Sequence, residues 1–541
     1  MRYAAAFTAG LRTVRGSSLF PLLLFCATAA AQPALPEPQR ALLDAGVRSG
    51  VLHDVAVGWV DHGASSTTYF GAATADSRFE IGTVSEAFSG VLLARAAFEN
   101  RLHVHDTLRD RLGGIPLSAP LAGVSLESLA AHRAGLPRLP LNLMPDDVDD
   151  PYGAYTAADL RAWLSYGETA GTGYSPMDFG VLGWVLARSY DATDFPALLH
   201  DKVLAPLALT NTDFDDAGLL PGHARGVSAP RWHFGALAAG AGLRSTLADL
   251  LAFLQTNLKP EESPLRAALL LARQPRDGGG ALGWNIAQST TDGQPWPVLW
   301  RASVTAGHAA FIGFRTDRQQ ALVLLCDDDV DLSALGMSLL DDRPLPALPK
   351  PAVAVPASAD AAQYAGLYQV RNGAELIVRA RGVALSAQLA GEPAGNLTPL
   401  GDDIFDAEAF ILTFQREGSR IVSVILSRGG VNAVAERLSD RAPQLARAQQ
   451  EATAAQWDEL RGDYLLARST LLRIARSENR ATLQLTGRAR VELGAYGADR
   501  FRCLDDSCEL HVRRDADGKL TALDVDFAGA IRVATRRPAA P

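Results

Sequence analysis

Phe79-Glu80-Ile81-Gly82-Thr83-Val84-Ser85-Glu86-Ala87-Phe88-Ser89-Gly90 is the stretch on which the reading of this chain turns. Thr83 followed three residues later by Glu86, ahead of an apolar run, is the pattern of a capping box, in which two side chains satisfy backbone N–H groups that a helix start leaves unpaired. Val84, Phe88, Val91, Leu92 and Phe98 recur at helical spacing and predict the apolar face of that helix. The same two polar residues can instead carry chemistry, Thr83 through its hydroxyl and Glu86 through its carboxylate. An anion beside a hydroxyl raises the hydroxyl's pKa, so the pairing opposes alkoxide formation.

Further stretches follow in order. They are Val124-Ser125-Leu126-Glu127-Ser128-Leu129 through Ala134-Gly135-Leu136-Pro137, Gly173-Tyr174-Ser175 through Val181-Leu182-Gly183, Pro206-Leu207 through Thr212, and Ala238-Ala239-Gly240-Ala241-Gly242-Leu243-Arg244-Ser245-Thr246. With the opening stretch they resemble the serine β-lactamase and penicillin-binding-protein superfamily, in particular class C β-lactamases and their esterase and D-aminopeptidase relatives. The resemblance covers most of residues 40–335. It implies an α/β (α+β) domain with a central antiparallel sheet flanked by helices. The two small antiparallel β-barrel-like modules expected after it resemble the architecture of D-aminopeptidases.

Each of the three active-site motifs that the resemblance implies is rewritten. The family's serine and the lysine three residues later fall on Thr83 and Glu86, which keeps a hydroxyl but exchanges the activating cation for an anion. Its Tyr-x-Asn reads Tyr174-Ser175-Pro176, where Ser175 as N-cap and Pro176 at the first helical position start a helix instead. Its Lys or His followed by Thr-Gly falls on Arg301-Ala302-Ser303. Arg301 is expected to hold a substrate carboxylate or, alternatively, to pair with Glu86 across the old cleft. Ser303 adds a side chain where glycine permits close backbone approach. The backbone N–H groups of Thr83 and Val304 match the positions that form the family's oxyanion hole.

A catalytically impaired homologue that binds a small peptide or cell-wall-derived ligand in the inherited cleft is therefore the leading expectation. Losing the lysine and the asparagine together removes both activation and positioning. The alternative is a working esterase, peptidase or β-lactamase-like acyl-transfer enzyme with Thr83 as nucleophile and Tyr174, Glu86 or His308 as base. A third reading assigns binding to the C-terminal β modules, although Tyr368, Phe405, Tyr464 and Phe501 are expected in barrel cores.

The composition fits a folded multidomain protein, with 541 residues, 48% of them apolar, and a formal net charge of -9. That charge offers no basic stripe for a phosphate backbone, so nucleic acid is not an expected partner. Residues 1–31 read as a signal peptide, with Arg2, Arg12 and Arg15 ahead of the apolar run Leu19 to Ala27 and a cleavage site at Ala29-Ala30-Ala31. The expected location is periplasmic or secreted, with no membrane contact after cleavage. Among the remaining cysteines, Cys503 and Cys508 are expected to close a small disulfide loop. Cys326 lies in an apolar strand and is expected to be an inert core thiol. No cysteine and histidine pair has zinc-site spacing, and neither a metal nor a cofactor is expected.

The expected organisation is the β-lactamase-like domain over 32–343, a proline-rich linker over 344–360, a β module over 361–440, a linker over 441–455 and a second module over 456–541. Gly366, Tyr368, Gly401 and Phe405 recur at one constant offset as Gly462, Tyr464, Gly497 and Phe501, which marks the modules as copies. Gly418 and Gly518 stand four residues further apart than that offset, which places an insertion near Cys503 to Cys508.

Overall fold

The computed structural model describes residues 35–537, apart from 170–172, 225, 290–294, 349–360, 371–372, 391, 402, 408–409, 429–430, 443–451, 469, 478–479 and 529. The expected signal peptide and most of the proline-rich linker lie outside the described residues. Among the described residues no helix is long and apolar enough to cross a membrane.

The central sheet has seven strands in the order Ala64–Phe70, Val55–Asp61, Gln320–Cys326, Ala309–Arg315, Trp296–Val304, Trp284–Ser289 and Gly280–Ala281. All neighbours are antiparallel. The first hairpin of the domain thus pairs with its last strand, and everything between them is folded onto the sheet. Ala309–Arg315 is buried along its whole length, as a strand covered on both faces must be. One apolar cluster joins the helices Glu37–Ser49 and Ser333–Leu340 to one side of the sheet. The larger cluster packs the helices Ser85–Phe98, Pro176–Ser189 and Leu247–Leu258 on the other.

Ser85–Phe98 is the pivot of that larger layer. Its first ten residues are all buried, so it is an interior helix rather than one with a single apolar face. Phe98, expected in that face, is instead 69% exposed at the helix end. The expected capping box is also absent. A 3₁₀ turn over Gly82–Val84 runs straight into the helix, and its start has no side-chain cap. Thr83 therefore already lies in helical backbone, with its hydroxyl turned towards the sheet. The second helix start is as read: Ser175 is the N-cap, Pro176 is the first residue, and the Met177 N–H donates to Ser175 Oγ at 3.1 Å.

Beyond the sheet domain are two closed eight-stranded antiparallel barrels, with strands from Gly366–Val370 to Val431–Ser439 and from Gly462–Ala467 to Ala530–Arg536. The second is preceded by a helix, Ala454–Leu460, which starts inside the segment read as a linker. Tyr368, Phe405, Tyr464 and Phe501 are core residues. The copies share a device: the Tyr368 hydroxyl donates to the Tyr364 carbonyl at 2.8 Å, and the Tyr464 hydroxyl donates to that of Leu460 at 2.6 Å.

Phe405 pairs with Leu412 whereas Phe501 pairs with Leu510, so only two of the extra residues lie in the loop between those strands. The other two precede Gly518 in the next hairpin. Cys503 and Cys508 are disulfide-bonded across that loop. The loop is a docking element: Arg379 and Gln388 of the first barrel donate to the carbonyls of Asp506 and Ser507 at 3.0 and 2.7 Å.

Candidate active site

The strand Trp296–Val304 lies against the 3₁₀ turn, and alternation along it turns Arg301 and Ser303 inward. The Thr83 hydroxyl donates to the Ala302 carbonyl at 2.8 Å, and the Thr83 N–H donates to Ser303 Oγ at 2.9 Å. The expected anion site therefore needs correction, because one of its two backbone donors is taken by a side chain of the protein itself. Approach is close enough that a Cβ at Gly82, whose φ is +45°, would stand 2.0 Å from Ser303 Oγ. Only glycine serves there.

Glu86 and Arg301 meet in a direct ion pair, with the residues 0% and 2% exposed. Arg301 also donates to Asn285 Oδ1 at 3.4 Å. Burial lowers the guanidinium to about 9, which still leaves it charged at neutral pH. Of the two expectations for Arg301, the structure places it inside the protein on Glu86 and not on a surface where it could receive a ligand carboxylate. Val304, at the strand end, is 43% exposed.

His132 and Asp178 extend the pair into a network that the sequence reading missed. His132 Nε2 is 2.8 Å from Glu86 Oε2 and its Nδ1 is 2.9 Å from Asp178 Oδ2. Asp178 is fully buried, and burial pushes its carboxyl up to about 6 against the opposing pull of His132. The order along this network is Arg301, Glu86, His132, Asp178, with the imidazole between two carboxyl groups. His132 has a left-handed backbone, with φ 52°, which aims its ring between the two carboxylates. That uncommon backbone for a non-glycine residue has no simple sequence signature. Asp178 reads in sequence as an ordinary acidic residue in a helix's first turn.

Tyr174 closes the group. Its hydroxyl lies 3.4 Å from Glu86 Oε1, beside Thr83, while the residue as a whole is 39% exposed. Burial of the hydroxyl pushes its pKa well up, which makes the phenolate a scarce base at neutral pH. His308, the other candidate base, sits 3.8 Å from Glu80 Oε2, and burial lowers its pKa to about 3. The structure thus brings Thr83, Glu86, Tyr174, Arg301 and Ser303 together around the turn. It spends their polar groups on one another.

The β-lactamase family model matches residues 40–336, more than half of the chain, and the chain belongs to that family. It is 28% identical to a β-lactamase of Escherichia coli K12 over 42% of this chain and 59% of that protein. It is 25% identical to one of Psychrobacter immobilis over 47% and 62%, and 24% identical to one of Yersinia enterocolitica over 47% and 66%. The chain therefore spans about three fifths to two thirds of the length of these relatives. A class C β-lactamase structure from Rhodobacter sphaeroides aligns with a TM-score of 0.48 and 20% identity, over 54% of this chain and 95% of that one.

Proposed function

We propose that this protein is an exported, catalytically impaired member of the β-lactamase family that binds a small peptide or cell-wall-derived ligand at the mouth of the inherited cleft. The observation that carries the reading is the buried Glu86–Arg301 pair beside Thr83. An activating cation is replaced by an anion whose charge is already neutralised, so nothing near Thr83 favours its alkoxide. Its hydroxyl proton is held on the Ala302 carbonyl rather than directed to a base. The rim keeps exposed surface at Tyr174 and Val304, an aromatic and an aliphatic face of the kind that small-ligand sites use.

The contact between Thr83 and the Tyr174 hydroxyl favours a second reading, in which Tyr174 draws the Thr83 proton in a slow acyl transfer. Intact mass after incubation with a penicillin and with a fluorophosphonate separates the two. The natural protein is expected to stay unlabelled. A variant carrying Thr83→Ser, Glu86→Lys, Pro176→Asn, Arg301→Lys and Ser303→Gly is expected to gain an adduct. An adduct on natural Thr83 would establish the acyl-transfer reading instead.

A further inference from the structure

The strand pairing of Val55 with Cys326 brings two unused segments face to face, His53-Asp54 before one strand and Asp327-Asp328 after the other. A third arrives with His223, whose N–H donates to the Asp327 carbonyl at 2.8 Å and lies 3.1 Å from that of Gly307. The His53 and His223 rings stack with centroids 3.8 Å apart and planes 10° from parallel. His53 Nδ1 stands 2.6 Å from Asp328 Oδ1, and His223 Nδ1 stands 3.3 Å from Asp327 Oδ2. One donor atom from each of His53, His223 and Asp328 falls within 4.8 Å of the others, and Cys326 with the two aspartates forms a second such group behind them.

Two buried carboxylates meet here. Asp327 and Asp328 are 0% and 1% exposed, and among the described residues neither pairs with a lysine or arginine. Asp327 Oδ2 is buried with no hydrogen bond. Asp328 Oδ2 accepts from the His53 N–H at 2.7 Å and Asp327 Oδ1 from the Asp54 N–H at 2.7 Å, which leaves Asp328 Oδ1 and Asp327 Oδ2 towards the two rings. One divalent cation would take these oxygens and a nitrogen of each ring into one coordination shell.

We propose that His53, His223 and Asp328 form a site for a zinc-class transition metal, with Asp327 beside it as a further oxygen donor. Two imidazoles and a carboxylate next to a thiol suit zinc, whereas calcium and magnesium take oxygen ligands. The His53 and His223 side chains are 32% and 22% exposed, which leaves a path for the ion. Binding displaces to solvent the proton held between His53 Nδ1 and Asp328 Oδ1. The site ties the His223 segment to the sheet. That segment abuts Gly307, where a Cβ would stand 2.8 Å from Gly222 Cα, in the turn after the strand that carries Arg301 and Ser303.

The test is calorimetric titration of zinc chloride into the tag-free full chain after stripping with a chelator, alongside a His53→Gln, His223→Gln variant. One equivalent is expected to bind with micromolar or tighter affinity, to be weakened about 100-fold or more in the variant, and to raise the Tm of the natural protein by a few degrees. Visible bands of tetrahedral cobalt are expected in the natural protein and not in the variant. The variant's Tm in chelator, unchanged from that of the natural protein, shows that it folds. Absence of stoichiometric binding, or equal affinity in the variant, would overturn the site.

Discussion

Glu86 shows what a fold must supply to hold a charge in its interior. A carboxylate at 0% exposure survives only with its charge answered; Arg301 answers it, and His132 adds a hydrogen bond. Removing one member of a buried pair leaves the other uncompensated, at a cost of about 3–5 kcal/mol. Glu86→Gln and Arg301→Met are each expected to lose about that much stability by urea unfolding. The double variant Glu86→Leu, Arg301→Met removes both charges and is expected to lose far less. Single variants as stable as the natural protein would show that the pair contributes nothing to stability. The pairing was readable in sequence as one of two uses of Arg301. His132 was not, because its role depends on where a left-handed turn points the ring.

The helix Ser85–Phe98 was legible in its existence, and its surroundings were decided by packing. A Cβ at Gly90 would stand 2.1 Å from the Leu282 carbonyl oxygen, so the helix and the segment before Trp284–Ser289 touch through backbone. Gly90→Ala would gain about 1 kcal/mol in helix propensity, but overpacking typically costs about 1–3 kcal/mol. We expect a net loss, seen as a lower Tm. A rise in Tm would mean that the contact relaxes freely. The failed capping box belongs to the same scale: Thr-x-x-Glu fits a helix start, but the Gly82–Val84 turn extends the helical backbone past Thr83 and leaves its hydroxyl to the neighbouring strand.

In the whole molecule a loop beside the site is held by the second barrel. Ser175, at the helix start beside Tyr174, donates to the Pro137 carbonyl at 2.6 Å. A few residues later the second barrel holds the same loop: Thr486 Oγ1 donates to the Leu141 carbonyl at 2.8 Å and Gln484 Nε2 to that of Pro145 at 2.7 Å. At about 1 kcal/mol for each hydrogen bond, Gln484→Leu with Thr486→Val is expected to loosen the loop by about 2 kcal/mol. Faster hydrogen exchange over residues 139–146, with the barrel itself unchanged, is the measurement. Unchanged exchange there would show that the barrel does not restrain the loop.

The sequence by itself determined the family, the sheet-and-helix class and the duplicated tail, because ordered local patterns and residue identities are written along the chain. Tertiary structure alone decided which of these side chains meet. Glu86, His132, Asp178 and Arg301 act on one another across more than 200 residues of chain. His53, His223 and Asp328 converge over a still longer span. Such contacts are set by strand pairing and by the direction of side chains in packed elements, neither of which leaves a periodic or local trace in sequence.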